Sequence, residues 1–212
     1  MMKEIDIFKR MLEDEERRKG RRRPLVNNIE IEEVLPCLTT PGYIRFTARA
    51  DNELRAVIPI IFLQFPPGRT HYNPAECTLT LNIYNRMITL HPDGMIAVTN
   101  TKDLKEAEEI LEKIRAFIND AYSAYLRSGA PGEEDIEAAL RISWLDIYGH
   151  LPRVNCGECG YPTCQALALK ALLGEASLSQ CRKLLEAEHH ASRRKLEGLL
   201  GPHLSKALGL KA

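Results

Sequence analysis

Three cysteines within nine residues, and a fourth that follows a helical stretch, constrain this chain more than any other feature. Cys156, Cys159 and Cys164 lie in Leu151-Pro152-Arg153-Val154-Asn155-Cys156-Gly157-Glu158-Cys159-Gly160-Tyr161-Pro162-Thr163-Cys164, and Cys181 completes the pattern C-x2-C-x4-C-x16-C. Four soft thiolates in this arrangement read as a metal site, and the spacing favours an iron–sulfur cluster of the [4Fe-4S] type. A cubane needs sulfur ligands converging from four directions, so several must come from one tight loop. Gly157 and Gly160 each follow a cysteine directly, and the lack of a Cβ lets the backbone reach positive φ and turn N–H groups toward sulfur. Zinc is the main rival. Structural zinc sites usually pair two Cys-x-x-Cys knuckles, whereas the second half here is one isolated cysteine. A set of unrelated buried or disulfide-bonded thiols is the remaining reading.

The string Asn155-Cys156-Gly157-Glu158-Cys159-Gly160-Tyr161-Pro162-Thr163-Cys164, the Ala/Leu-rich helix ending at Leu173-Gly174-Glu175, and Cys181 together resemble a known [4Fe-4S] domain. That domain occurs in corrinoid iron–sulfur proteins, in the gamma subunit of acetyl-CoA decarbonylase/synthase and in the cluster subunit of Rnf-type complexes. The resemblance covers about residues 135–185. It implies cluster ligation by Cys156, Cys159, Cys164 and Cys181 and low-potential electron transfer. The family often continues with Pro-Gly-Gly after its last cysteine, but this chain reads Cys181-Arg182-Lys183-Leu184. Ligation is untouched by that departure, yet the activity of the larger proteins does not carry over with it. Their corrinoid-binding barrel has no counterpart in these 212 residues.

Lys+Arg and Asp+Glu both number 29, so no global charge argues for nucleic acid or an anionic membrane. No apolar run has membrane-spanning length and no signal-peptide core is evident, which places the chain in the cytoplasm. Cysteines in that compartment point to metal or redox chemistry rather than a disulfide framework. Cys37 and Cys77 lie outside the motif and read as small buried hydrophobes.

Turn residues Ser128-Gly129-Ala130-Pro131-Gly132 divide the chain. The expected parts are a charged helix with a basic run (1–24), an α+β domain (25–128) and a helical cluster domain (133–212). Residues 3–19 read as a helix bearing Ile5, Phe8, Met11 and Leu12, and the basic run up to Arg23 reads as a solvated helix end. Period-2 alternation predicts strands over 43–50, 77–84, 87–91 and 95–99, the last two joined by His91-Pro92-Asp93-Gly94. Their inward sets are Ile44, Phe46 and Ala48; Leu79, Leu81 and Ile83; Ile88 and Leu90; Ile96 and Val98. Residues 53–65 fit either a strand or a short helix, with Pro59 against both. A long helix follows with Thr101 as N-cap and a stripe of Leu104, Ala107, Ile110, Leu111, Ile114 and Phe117. An antiparallel sheet with helices on one face gives an α+β fold. The element order, with Tyr72-Asn73-Pro74 before a meander and a helix, resembles one half-repeat of a TATA-binding-protein-like fold over about residues 29–120. The opposite sheet face, with Thr78, Thr80, Asn82, Met87, Thr89, Ala97 and Thr99, is expected to be solvated or covered from within the chain, and a homodimer across it stays open.

In the last third, one helix over 133–148 is expected to bury Ile136, Leu140 and Trp144, with Trp144 in core packing. An apolar helix with Ala166, Leu167, Leu169, Ala171, Leu172 and Leu173 shields the cluster and ends at Gly174. Residues 182–199 form a further helix with Leu184, Ala187 and Ala191 on one face. His189 and His190 are adjacent and read as surface residues, since neighbours on a helix cannot face one metal. The tail to Ala212 packs on a partner or frays.

No glycine-rich phosphate loop, nucleotide fingerprint or catalytic triad signature accompanies the cysteines. The leading reading is a cytoplasmic [4Fe-4S] protein, not itself an enzyme, that exchanges single electrons with a redox partner protein in anaerobic metabolism. A redox- or oxygen-responsive binding module, with nucleic acid as its less favoured ligand, is the alternative. A structural zinc module is the third.

Overall fold

The computed structural model describes residues 23–210. The expected helix over 3–19, the basic run apart from Arg23, and the last two residues lie outside them. A six-stranded sheet is formed by β1 (Ile29–Pro36), β2 (Ile44–Ala50), β3 (Thr70–Asn73), β4 (Thr78–Ile83), β5 (Arg86–Leu90) and β6 (Met95–Thr101). Its order is β1-β2-β6-β5-β4-β3, and every neighbouring pair is antiparallel. Between β2 and β3 lies α1 (Ile58–Gln64), and α2 (Leu104–Ser128) follows β6. The α+β reading holds. The TATA-binding-protein-like resemblance rests on element order and the Tyr72-Asn73-Pro74 string.

Alternation decided the central strands. Phe46, Ala48, Leu79, Leu81, Ile88, Leu90, Ile96 and Val98 are buried on one sheet face, against Ala107, Ile110, Leu111, Ile114, Ile118 and Ala121 of α2. Each large side chain so buried stabilises the fold by about 1.5–3 kcal/mol relative to exposure. The turn after β5 needs glycine for two reasons. Gly94 has φ +92°, and a Cβ there would lie 2.8 Å from the carbonyl oxygen of Asn52. The turn between β4 and β5 uses Tyr84 and Asn85, both at positive φ, 53° and 58°. That is the backbone a two-residue hairpin requires.

Several boundaries differ from expectation. Residues 58–64 are helical, because Pro59 falls in the first turn, where no N–H is needed. Thr101 is not the N-cap of α2 but the buried last residue of β6. Asp103 caps instead, accepting the Glu106 N–H at 2.8 Å, and Leu104 is 54 % exposed. The buried stripe runs on to Ile118 and Ala121.

The expected helix over 133–148 is two helices, α3 (Glu133–Arg141) and α4 (Trp144–Gly149). Ser143 starts the second with a capping box to Asp146, which competes successfully with continuation. Ala139 and Ile147 are buried, while Leu140 is exposed and Trp144 is half-buried beside Tyr148. Downstream, α5 (Cys164–Leu172) buries Leu167, Ala168 and Ala171, whereas Ala166 is half-buried and Leu169 exposed. Gly174, at φ +67°, follows the C-cap and closes the helix. The expected helix over 182–199 is also broken. α6 (Arg182–Leu185) stops at an extended Glu186, and α7 (His190–Ala207) carries a kink where Gly201 leaves helical φ/ψ ahead of Pro202. Leu184 is buried as expected, but Ala187 and Ala191 are exposed; Leu196, Leu200 and Leu204 form the buried stripe. The tail packs within the chain, with Leu208 and Leu210 buried and the Leu178 N–H donating to the Leu208 carbonyl at 2.9 Å.

Gly129 to Gly132 is a turn between α2 and α3, and the buried residues on either side of it join one continuous core. The contact is close where the segment after α1 meets the end of α5. The Arg69 guanidinium donates to the Leu173 carbonyl at 2.6 Å and pairs with Glu175 at 3.5 Å. The other sheet face carries half-buried Thr78, Thr80, Thr89, Ala97 and Thr99 with exposed Asn82 and Met87. The hydroxyls of Thr80 and Thr89 are 3.0 Å apart across β4 and β5.

Candidate metal centre

The loop 151–163 is shaped by left-handed residues. Arg153, Asn155, Gly157 and Gly160 have φ of 59°, 49°, 75° and 87°, so the chain reverses repeatedly within a few residues. A non-glycine residue at such a φ is uncommon, and asparagine is among the types that tolerate it. Asn155 has a second role: its side-chain oxygen accepts the Cys164 N–H at 2.9 Å. That bond ties the start of the loop to the first turn of α5. Thr163 caps the same helix, accepting the Ala166 N–H at 3.1 Å. Cys164 therefore sits in the first turn of α5. Cys181 follows a short 3-10 turn (Leu178–Gln180) and immediately precedes α6, rather than emerging from a helix.

All four predicted cysteines line one small pocket, together with Val154 and Lys183 among others. Their exposure is graded. Cys164 and Cys181 are 5 % and 4 % exposed, Cys159 is half-buried, and Cys156 is exposed. From α5 only Cys164 lines the pocket. Burial pushes the Cys181 thiol up, and the nearby Cys164, Cys159 and Cys156 push it the same way. A cationic metal bound in this pocket would offset that effect on Cys181. Among the described residues no three His, Cys, Asp or Glu are placed to hold a single metal ion. The donor set is all-thiol and lines a single pocket, a chemistry that suits an iron–sulfur cluster or zinc.

Lys183 reaches across the pocket mouth, with its ammonium 4.0 Å from Glu158 and 3.2 Å from Glu186. The hydrogen bond to Glu186, then Glu158, holds its proton more tightly than usual. Neither Lys183 nor Asn155 was singled out by spacing. Asn155 stood inside the motif, and only the fold gives its side chain a purpose.

The remaining candidates do not join this site. His189 is half-buried and His190 exposed, and neither lines the pocket. Cys77 is buried as expected. Cys37 is not; it is half-exposed in the β1–β2 turn, where a hydrogen bond with the Thr39 hydroxyl, followed by backbone amides, lowers its thiol to about 6. Among the described residues no helix is long and apolar enough to cross a membrane.

Comparison with known proteins supports the assignment of this segment. Residues 151–182 match a family described as "Putative Fe-S cluster". The chain is 42 % identical over 62 residues to the acetyl-CoA decarbonylase/synthase complex subunit gamma of Methanocaldococcus jannaschii, covering 29 % of this chain and 13 % of that protein. It is 39 % identical over 69 residues to the corrinoid/iron-sulfur protein large subunit of Moorella thermoacetica, covering 32 % of this chain and 15 % of that one. The gamma subunit of Methanothermobacter thermautotrophicus is 38 % identical over 63 residues. The chain thus spans only a small part of these relatives, 13 % and 15 % of the first two, and no solved structure matches it.

Proposed function

We propose that Cys156, Cys159, Cys164 and Cys181 hold a [4Fe-4S] cluster, and that the chain passes single electrons to or from a partner enzyme of anaerobic metabolism. The convergence of all four thiols on one pocket, within a segment that matches an iron–sulfur family, carries this reading. A cluster bound there supplies one-electron redox chemistry. The chain's own residues set the conditions for it. Burial of Cys164 and Cys181 keeps water from the inner side, and a less polar surround lowers the potential. Asn155 fixes the loop against α5, so the ligands are placed before metal arrives. The exposed Cys156 side is where a partner comes nearest, which suits outer-sphere transfer.

The gamma-subunit relatives are named as parts of a complex, which favours a redox partner protein for this chain too. In this reading residues 25–128 form a docking domain and 133–212 the cluster domain, working in the cytoplasm. The match of residues 151–182 to an iron–sulfur family weighs against the zinc alternative.

Anaerobic reconstitution followed by iron and sulfide analysis and electron paramagnetic resonance tests the proposal. Equal iron and acid-labile sulfide, a signal that appears on reduction, and its loss in Cys159→Ala are the expected results. Stoichiometric zinc without sulfide, or an unchanged cluster in Cys159→Ala, would refute it.

A further inference from the structure

We infer that the cluster side held by Cys156 is an exchangeable iron subsite, while Cys159, Cys164 and Cys181 form a permanent three-thiolate seat. This inference rests on the [4Fe-4S] reading. Its ground is the exposure gradient across the pocket. Cys164 and Cys181 belong to the continuous core, at 5 % and 4 % exposure, and Cys159 packs against that core. Cys156 is exposed, and its neighbours on both sides are too: Val154 is 55 % exposed, and a Cβ built on Gly157 would meet nothing within 4 Å. The asymmetry extends to the backbone. Cys164 is pinned by its N–H bond to Asn155, and the Cys181 N–H donates to the Leu178 carbonyl at 3.1 Å. No such hydrogen bond fixes Cys156 itself among the described residues.

Access to water, chelators and oxidants decides which iron–thiolate bond fails first, because the apolar shell protects the others. A one-electron oxidant of the ferricyanide class removes one electron from [4Fe-4S]2+ to give [4Fe-4S]3+. The iron bound by Cys156 leaves as Fe2+, and [3Fe-4S]1+ stays on Cys159, Cys164 and Cys181 with all four sulfides. The Fe–S bond to Cys156 and that iron's three bonds to cluster sulfides break with their electron pairs on sulfur. Water fills the coordination sphere of the departing Fe2+, and the freed Cys156 thiolate takes a proton from water. In reverse, a one-electron reductant gives [3Fe-4S]0, Cys156 loses its proton, and Fe2+ re-enters to restore [4Fe-4S]2+. Charge and atoms balance in both directions.

The test uses the full-length reconstituted protein, kept anaerobic. Stepwise ferricyanide oxidation is followed by iron and sulfide analysis, electron paramagnetic resonance, and iodoacetamide labelling mapped by mass spectrometry. The expected results are loss of a quarter of the iron with sulfide retained, a three-iron signal, and labelling of Cys156 about tenfold above Cys159, Cys164 or Cys181. Reductant with Fe2+ should restore the starting spectrum. Cys156→Ala should assemble a three-iron cluster directly, whereas Cys181→Ala should retain none. If wild-type protein forms a cluster but loses iron and sulfide together, or labels all four cysteines equally, the exchangeable subsite is overturned while the [4Fe-4S] reading stands. If wild-type protein forms no cluster, both fall.

Discussion

Substituting Gly68 with alanine probes how firmly the metal-centre half is held to the sheet half. Gly68 lies in the short 3-10 turn Pro67–Arg69, directly over the end of α5. A Cβ there would stand 2.8 Å from the Leu172 carbonyl oxygen and 3.0 Å from the Leu173 Cα. Relief to an ordinary 3.4 Å contact needs about 0.6 Å of movement. The obstacle is backbone, not the flexible end of a side chain, so two main-chain segments must separate. Overpacking of this kind costs about 1–3 kcal/mol. Gly68 is not at positive φ, so alanine also restricts the unfolded chain, which offsets about 0.4–1 kcal/mol. The net loss is on the order of 1–2 kcal/mol, or about 2–8 °C in melting temperature for a chain of this size. Separation also lengthens the 2.6 Å bond from Arg69 to the Leu173 carbonyl. Denaturant titration of Gly68→Ala, followed by circular dichroism and by Trp144 fluorescence, measures the loss. Unchanged or raised stability would refute a close-packed junction.

Asn155→Ala should lose about 2 kcal/mol, combining one hydrogen bond with a left-handed backbone that alanine resists, and should retain less iron after gel filtration. Asn155→Asp keeps the acceptor and should stay close to wild type in iron content. Glu106 is held below the usual carboxylate range, first by its hydrogen bond from Arg86, so its contribution to stability is present above the unfolded value of about 4.3 and is lost as pH falls through the folded value. Glu106→Gln should therefore cost under about 1 kcal/mol near neutrality, a modest figure because the carboxylate is 35 % exposed, and the difference should vanish in acid melts. Cys37 should alkylate with a pH midpoint near about 6 in cluster-loaded protein, and Thr39→Ala should move that midpoint upward. Equal midpoints in the two proteins would remove the hydroxyl as its cause.

What the sequence revealed was what long-range burial enforces. Phe46, Ala48, Leu79, Leu81, Ile88, Leu90, Ile96 and Val98 alternate because one face of their sheet meets α2. The four cysteines were legible for a different reason, since their chemistry has few uses at that spacing. Edges and breaks were hidden. β1 and β3 escaped notice because each pairs on one side only, so neither needs a clean apolar row. The helix breaks at Ser143 and Glu186 fall inside patterns that would also suit an unbroken helix, and local capping decides between them. Thr101 and Asp103 both suited an N-cap, and the strand took the threonine. Asn155 and Lys183 act through neighbours distant along the chain, which spacing does not reveal.

The outer strand has a consequence for solubility. Among the described residues β1 has a strand neighbour on one side only, and its other side is the kind of border on which another chain can add a strand. Exposed Val34, Leu35 and Leu38 would reward such addition. Glu30, Glu32 and Glu33 stand on the same strand, a register shift falls between Ile31 and Glu33, and Pro36 ends it without a donor. These are gatekeepers against growth into fibrils. At the opposite border, β3 is only four residues long, too short to template an intruding chain for any distance.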